Sequence, residues 1–278
     1  MGLNETNIAW TRWFDPLKEI WRKGYTLNPV TGCTHQSEGC ENCYAEELYN
    51  RHKWSFQPQL HLERLQDIRK IPSGAKVFLG SVTDLFHQDF MAMESGKCPD
   101  ELKDGICERN PEGRKPLTEI MEAIRARPDV TFQILTKRPW NAQRYFFVNQ
   151  VPDNVWMGTT IESRNTLYRL RTLQMIRAKT RFLSCEPLLE DITEVRMGDK
   201  YASLGHALNG GKIHMIIVGA ESGKNRRAFN EVWARNLRDF CLQRDIAFFY
   251  KQGSDFKPGK KDELDGRIWQ DFPRQAMA

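Results

Sequence analysis

No stretch of the 278-residue chain is apolar for long enough to span a bilayer. Its longest apolar runs, such as 215–219 and 247–250, are far shorter than the roughly 20 residues a membrane helix needs. Residues 1–25 lack the basic start and apolar centre of a secretory leader and carry Asp15, Glu19 and several tryptophans instead. Charge of one sign is scarce too: 41 Lys and Arg against 36 Asp and Glu leave +5, which permits a polyanionic partner without demanding one. Seven cysteines, an odd number, argue against a disulfide framework and for a reducing compartment. The expectation is a cytoplasmic protein with no membrane partner. With 40% hydrophobic residues, the chain can bury the core of one large domain.

What the chain does have is a crowded loop. Thr31-Gly32-Cys33 through Cys40-Glu41-Asn42-Cys43-Tyr44 packs three cysteines into eleven residues. Three thiolates are one short of a closed tetrahedral zinc site and one short of saturating a four-iron cluster. Such a loop leaves a coordination position open, and an open position allows chemistry.

Around this loop the pattern alternates. Short apolar strands are expected at 25–30, 76–80, 130–135, 155–158, 181–184, 214–219 and 246–250. Helical periodicity falls at 43–54, 117–127, 140–148, 163–178 and 230–244. Alternation of this kind predicts an α/β fold with a parallel sheet curled into a partial (β/α)6-type barrel. An N-terminal arm (1–24) precedes the barrel (25–252), which has a surface insertion at about 91–115, and a C-terminal extension (253–278) follows. Parallel barrels build their sites at the carboxyl ends of strands. There this sequence places polar residues repeatedly: Ser81, Thr83 and Asp84; Lys137; Thr159, Thr160 and Glu162; Cys185; Glu221; Lys251. One polar strand end is ordinary turn chemistry; six in succession read as a ring around a pocket.

These residues resemble a family. The Thr-Gly-Cys opening and closing Cys43-Tyr44 look like the cluster loop of radical S-adenosylmethionine (SAM) enzymes, closest to the spore photoproduct lyase branch. Ser81–Asp84 and Leu135-Thr136-Lys137 match that branch as well. Strings along nearly the whole chain, including 28–33, 80–87, 135–139, 186–189, 219–223 and 264–267, look still more like the DUF5131 family of phage-type proteins. The spacing departs from the usual C-x3-C-x2-C: here it is C-x6-C-x2-C, and the three added residues cost little closure entropy.

The resemblance implies a radical SAM barrel with a [4Fe-4S] cluster on Cys33, Cys40 and Cys43, an iron left free for SAM, and reductive cleavage of SAM to a 5′-deoxyadenosyl radical. It implies an external electron donor and a nucleic-acid base or nucleotide as substrate, in a phage- or prophage-encoded enzyme acting in the bacterial cytosol. Lys137 then pairs with the SAM carboxylate. Ser81, Thr83 and Asp84 face its amino group, Thr159 and Thr160 the ribose or methionine part, and Glu162 is a further cofactor-binding residue. Glu221 holds a ribose or substrate hydroxyl, and Tyr44 packs on the adenine or simply opens the first helix. Cys185 is the candidate hydrogen-atom donor, against a plain packed thiol.

The alternative is a non-catalytic zinc or nucleic-acid binding module on a decayed barrel, the zinc completed by His35 or a distant ligand. Cys98 and Cys107 are candidates for an auxiliary metal or exposed thiols. The arm interleaves Trp10, Trp13, Phe14 and Trp21 with Arg12, Lys18, Arg22 and Lys23. That pattern suits base stacking and phosphate contact, and equally an amphipathic lid over the barrel. Arg226 and Arg227 extend the positive charge.

Overall fold

The computed structural model describes residues 2–96, 110–195, 203–208 and 211–273. Eight strands form one sheet in chain order: β1 (Asn4–Glu5), β2 (Tyr25–Leu27), β3 (Lys76–Leu79), β4 (Thr131–Thr136), β5 (Val155–Thr160), β6 (Thr180–Cys185), β7 (Met215–Gly219) and β8 (Ala247–Gln252). The two-residue edge strand β1 runs antiparallel to β2, and every other pairing is parallel. Parallel neighbours need crossovers, and right-handed crossovers in unbroken order set all helices on one face. The expected parallel strands are all present. The architecture is the expected mixed α/β one, with seven parallel strands.

The helices are α1 (Tyr44–Arg51), α2 (Gln88–Glu94), α3 (Pro116–Arg125), α4 (Pro139–Val148), α5 (Tyr168–Met175), α6 (Leu204–Ala207) and α7 (Glu231–Leu242). Proline opens both α3 and α4, where a missing N–H costs nothing. The expected helix at 163–178 is instead a single 3-10 turn, Arg164–Thr166, followed by the shorter α5. Residues 97–109 of the expected insertion at about 91–115 lie outside the described residues. Residues 91–94 belong to α2, whose Phe90 and Met93 are buried, and Glu94 accepts the backbone N–H groups of Leu117 (3.0 Å) and Thr118 (3.2 Å) at the start of α3. Cys98 and Cys107 lie outside the described residues. Among the described residues no helix is long and apolar enough to cross a membrane.

Both faces of the sheet are buried, so the strands read as continuous apolar runs. Period-2 alternation sends Leu183, Cys185, Ile216, Val218, Phe248 and Tyr250 into the helix layer. It sends Phe182, Met215, Ile217 and Phe249 into an inner core with Phe78 and Trp156. The N-terminal arm completes that inner core. Trp10 is 2% exposed, with its ring 4.7 Å from Phe78 and 5.8 Å from Phe182. Gln133 and Lys76 donate to the backbone carbonyls of Trp10 and Arg12. Lys76 opens β3, so the arm seals the amino end of the barrel and not the end bearing the cysteine loop.

Of the two readings of the arm this placement favours the packed cover, although over the amino end of the barrel and not its mouth. Arg12 pairs with Gln270 (2.9 Å), Arg22 with Asp15 (3.0 Å), and both guanidinium groups lie over tryptophan rings. The C-terminal extension packs along β8: Tyr250 N–H donates to Trp269 and Asp271 N–H to Phe248. It thereby covers an edge that would otherwise present unpaired backbone. Phe272 then closes on the Lys76 ammonium, 3.7 Å from its ring centre. Burial among these rings pushes the Lys76 pKa down to about 7.

Trp10→Ala should therefore cost stability, about 3–5 kcal/mol by the measure of large-to-small core changes. Urea denaturation of the parent and the variant checks this, and a change within error would mean the plug is dispensable.

Candidate active site at the carboxyl end of the barrel

The cysteine loop leaves β2 through a tight turn. Gly32 has φ +82°, and a Cβ there would meet the Gln57 carbonyl at 2.2 Å, so only glycine fits. Thr83 Oγ1 donates to the Gly32 carbonyl (2.6 Å), and Cys33 N–H donates to Phe56 (3.1 Å). Cys40 ends a 3-10 turn, and Cys43 is the N-cap residue of α1. Cys40 is buried; Cys33 and Cys43 are partly exposed.

Two groups nail this loop to the barrel. The first is Glu162, fully buried just past β5. Ser37 Oγ (2.7 Å) and Lys137 Nζ (2.6 Å) donate to its Oε1, and Arg169 (2.8 Å) to its Oε2. A Cβ on Gly39 would lie 2.5 Å from Glu162, so the loop backbone presses directly on the carboxylate. Burial alone would raise the Glu162 pKa, but Lys137 and Arg169 override it and hold the carboxyl at about 2. The second is Arg227. It grips Glu221 through its backbone N–H (2.7 Å) and Nε (3.1 Å) and reaches the Glu38 carbonyl (2.9 Å) and Glu41 (3.1 Å). Asn42 also donates to Glu221 (3.0 Å).

The expected site residues therefore fall into distinct groups. Cys33, Cys40, Cys43, Tyr44, Ser81, Lys137, Thr160 and Glu162 come together around the carboxyl end, yet several are spent on holding it. Asp84 accepts from Phe86 N–H (3.0 Å), Thr136 Oγ1 (2.7 Å) and Lys137 N–H (2.9 Å), so its carboxylate is committed to the loops. Thr83 and Thr159 donate to main-chain carbonyls. Ser81 exchanges hydrogen bonds with Asn28. Glu221 belongs to the Arg227 clamp, which holds its pKa down against burial. Arg227 is correspondingly no free phosphate contact.

Cys185 is fully buried in the helix-side core near Cys241, and burial pushes its pKa up strongly. Strand parity turns it away from the lumen. A lumen-facing hydrogen donor is therefore not supplied by Cys185. Tyr44 is 58% exposed, its hydroxyl donating to the Ser81 carbonyl, so it bridges α1 and the loop after β3. His35, the alternative zinc ligand, pairs with Glu46 (2.7 Å).

Sequence reasoning passed over Arg138. This buried N-cap residue of α4 points its guanidinium at Cys33 Sγ (3.6 Å), the Thr34 carbonyl (3.1 Å) and Thr34 Oγ1 (2.7 Å), with Asp84 at 3.5 Å. It also passed over the ion pair of Glu186 and Lys251 at the ends of β6 and β8. An Arg directly after Lys137 was the only available signal for the first. A cleft of about 200 Å³ opens beside Cys43, lined by Glu41, Glu46, Asn50, Lys224 and Arg226.

Among the described residues, no group of three or more His, Cys, Asp or Glu side chains is arranged to hold a single metal ion, the thiols of this loop included. Their surroundings nonetheless suit thiolate ligands. Gln36 N–H points at Cys40 Sγ (3.5 Å), and Arg138 points at Cys33 Sγ, where its guanidinium favours the ionised thiolate. Burial works the other way, pushing Cys33 up to about 11 and Cys43 upward too.

The fold and this site define an open parallel barrel whose thiol-bearing loop follows the first parallel strand. Solved structures share the fold. A cysteine-to-serine variant of spore photoproduct lyase aligns at 11% identity and TM-score 0.53, covering 91% of this chain and 79% of that one. A cysteine-to-alanine variant of the same enzyme aligns at 12% identity and TM-score 0.50, covering 82% and 76%. The family model "Protein of unknown function (DUF5131)" matches residues 6–98 and 111–273, and the chain belongs to that family. No curated protein matches it by sequence.

Because the Glu162 pKa is lowered on folding, its contribution is present above the unfolded carboxyl value and is lost as pH falls from about 4.5 to about 2. Glu162→Gln should remove this acid-sensitive part and cost about 3–5 kcal/mol at neutral pH, because Lys137 and Arg169 lose a buried counter-charge. Denaturation midpoints from pH 7 to pH 3 read both effects; coincident curves for parent and variant would refute both, and parallel offset curves would refute the acid-sensitive part.

Proposed function

We propose that the protein is a radical SAM enzyme that carries a [4Fe-4S] cluster on Cys33, Cys40 and Cys43 and acts on a nucleic-acid base or nucleotide. The observation that carries the reading is the three-thiol loop at the carboxyl end of the first parallel strand, in a fold shared with spore photoproduct lyase. The cluster, when bound with SAM, supplies one-electron cleavage of the sulfonium to a carbon radical.

The chain's own residues bind and orient. The Cys33, Cys40 and Cys43 thiols would give up their protons on ligation, against the burial that raises the pKa of Cys33 and Cys43. Lys137, with donor capacity beyond its bond to Glu162, takes the SAM carboxylate. Thr160 and Tyr44 line the mouth for the remainder of the cofactor. Asp84 serves by positioning Lys137 and Arg138 rather than by touching SAM. The Trp10 plug at the far end keeps water from the lumen floor. Lys224 and Arg226 offer phosphate contacts on the cleft beside Cys43, which they share with Glu41, Glu46 and Glu47, and a base in duplex would have to flip out to enter. An external donor in a reducing cytosol completes the electron supply.

Anaerobic reconstitution should yield about four irons per chain, a content reduced to background in the triple Cys→Ala variant; dithionite and SAM should then release 5′-deoxyadenosine. Stoichiometric zinc without iron would overturn the reading in favour of a structural metal module. Within the same reading, Lys137→Ala should weaken SAM binding about ten- to a hundred-fold, the loss of one charge-assisted contact, while iron content stays at parent level. Equilibrium dialysis with labelled SAM measures this, and parent-like affinity would remove Lys137 from the site.

A further inference from the structure

We propose that Arg138 is a positioning residue for Cys33 that also tunes the ease with which the site's cluster is reduced; this rests on the cluster reading above. The geometry is specific. Arg138 sits at the junction of three loops, with its side chain only 4% exposed. One guanidinium nitrogen faces both Cys33 Sγ (3.6 Å) and Asp84 (3.5 Å), while the other is fixed by the Thr34 carbonyl and hydroxyl. Thr34 Oγ1 is in turn 3.0 Å from His87 Nε2, whose Nδ1 accepts from Asp89 N–H. The backbone N–H of Arg138 is held by Thr136 Oγ1 (2.8 Å), so the side chain starts from a fixed point.

A planar fork of this kind can serve sulfur and carbonyl at once; an ammonium cannot. Hydrogen bonds to cluster sulfur and nearby positive charge are among the levers that set cluster potential, since each favours the more negative reduced state. The Arg138 charge is shared with Asp84, which leaves the directed N–H···S bond as the larger part of the effect. Cys33 differs here from Cys43, toward which no side-chain hydrogen-bond donor points among the described residues.

The test uses the full-length protein, reconstituted anaerobically as parent, Arg138→Met and Arg138→Lys, with iron content and midpoint potential followed by EPR-monitored redox titration. Arg138→Met should load iron and be at least tenfold harder to reduce, about 59 mV more negative for a one-electron couple. Arg138→Lys, which keeps the buried charge and hence the Asp84 pairing, should fall between the two. Loaded variants with the parent's potential would overturn the role of Arg138 and leave the cluster reading standing. A parent that takes up no iron would overturn the cluster reading and this inference with it. If Arg138→Met fails to fold, Arg138→Lys decides alone: a parent-like potential refutes the proposal.

Discussion

One buried carboxylate organises the working end of this barrel. Glu162 has no exposure to solvent, yet it stays ionised because a lysine, an arginine and a serine hydroxyl converge on it. Each partner belongs to a different part of the chain: Ser37 to the cysteine loop, Lys137 to the end of β4, Arg169 to α5. An isolated buried charge would be prohibitive, and these three donors together offset its cost. The eleven-residue thiol loop therefore cannot drift without uncovering a charge. That constraint makes the longer cysteine spacing tolerable, because Ser37 and Gly39, both inside the added stretch, are the residues that meet Glu162.

The two ends of the barrel are built for opposite tasks. At the amino end, Trp10, Phe78, Phe182, Phe249 and Phe272 fill the lumen, drawn in part from the N-terminal arm and the C-terminal extension. At the carboxyl end the lining turns polar and ionic, with the Lys137–Glu162 and Glu186–Lys251 pairs and the Arg227 clamp around the loop. A sealed floor and a polar mouth suit a fold that binds from one side only.

The parallel strands were legible because runs such as 215–219 are apolar on both faces and end in small or polar residues. The thiol loop was legible for the same local reason, and membership in the DUF5131 family followed from strings spread over the chain. Roles at strand ends were harder. A carboxylate that receives a ligand and one that satisfies loop N–H groups look alike in sequence, which is why Asp84 and Glu221 read as ligand contacts although both hold loops. The arm stayed open between two readings for a related reason: tryptophans interleaved with arginines suit a nucleic acid and a packed cover equally, and only the end of the barrel they occupy decides. Cys185 turned on strand parity, a single residue of register. Arg138 stayed hidden because its target, Cys33, lies 105 residues away in the chain.

The central claim is that three thiolates hold a cluster with one iron open to SAM at this mouth. The most direct measurement is the EPR spectrum of the dithionite-reduced, reconstituted protein with and without SAM. The account predicts a reduced-cluster signal whose g values shift on adding SAM, as direct coordination to the free iron requires. A cluster signal that SAM leaves unchanged would contradict it.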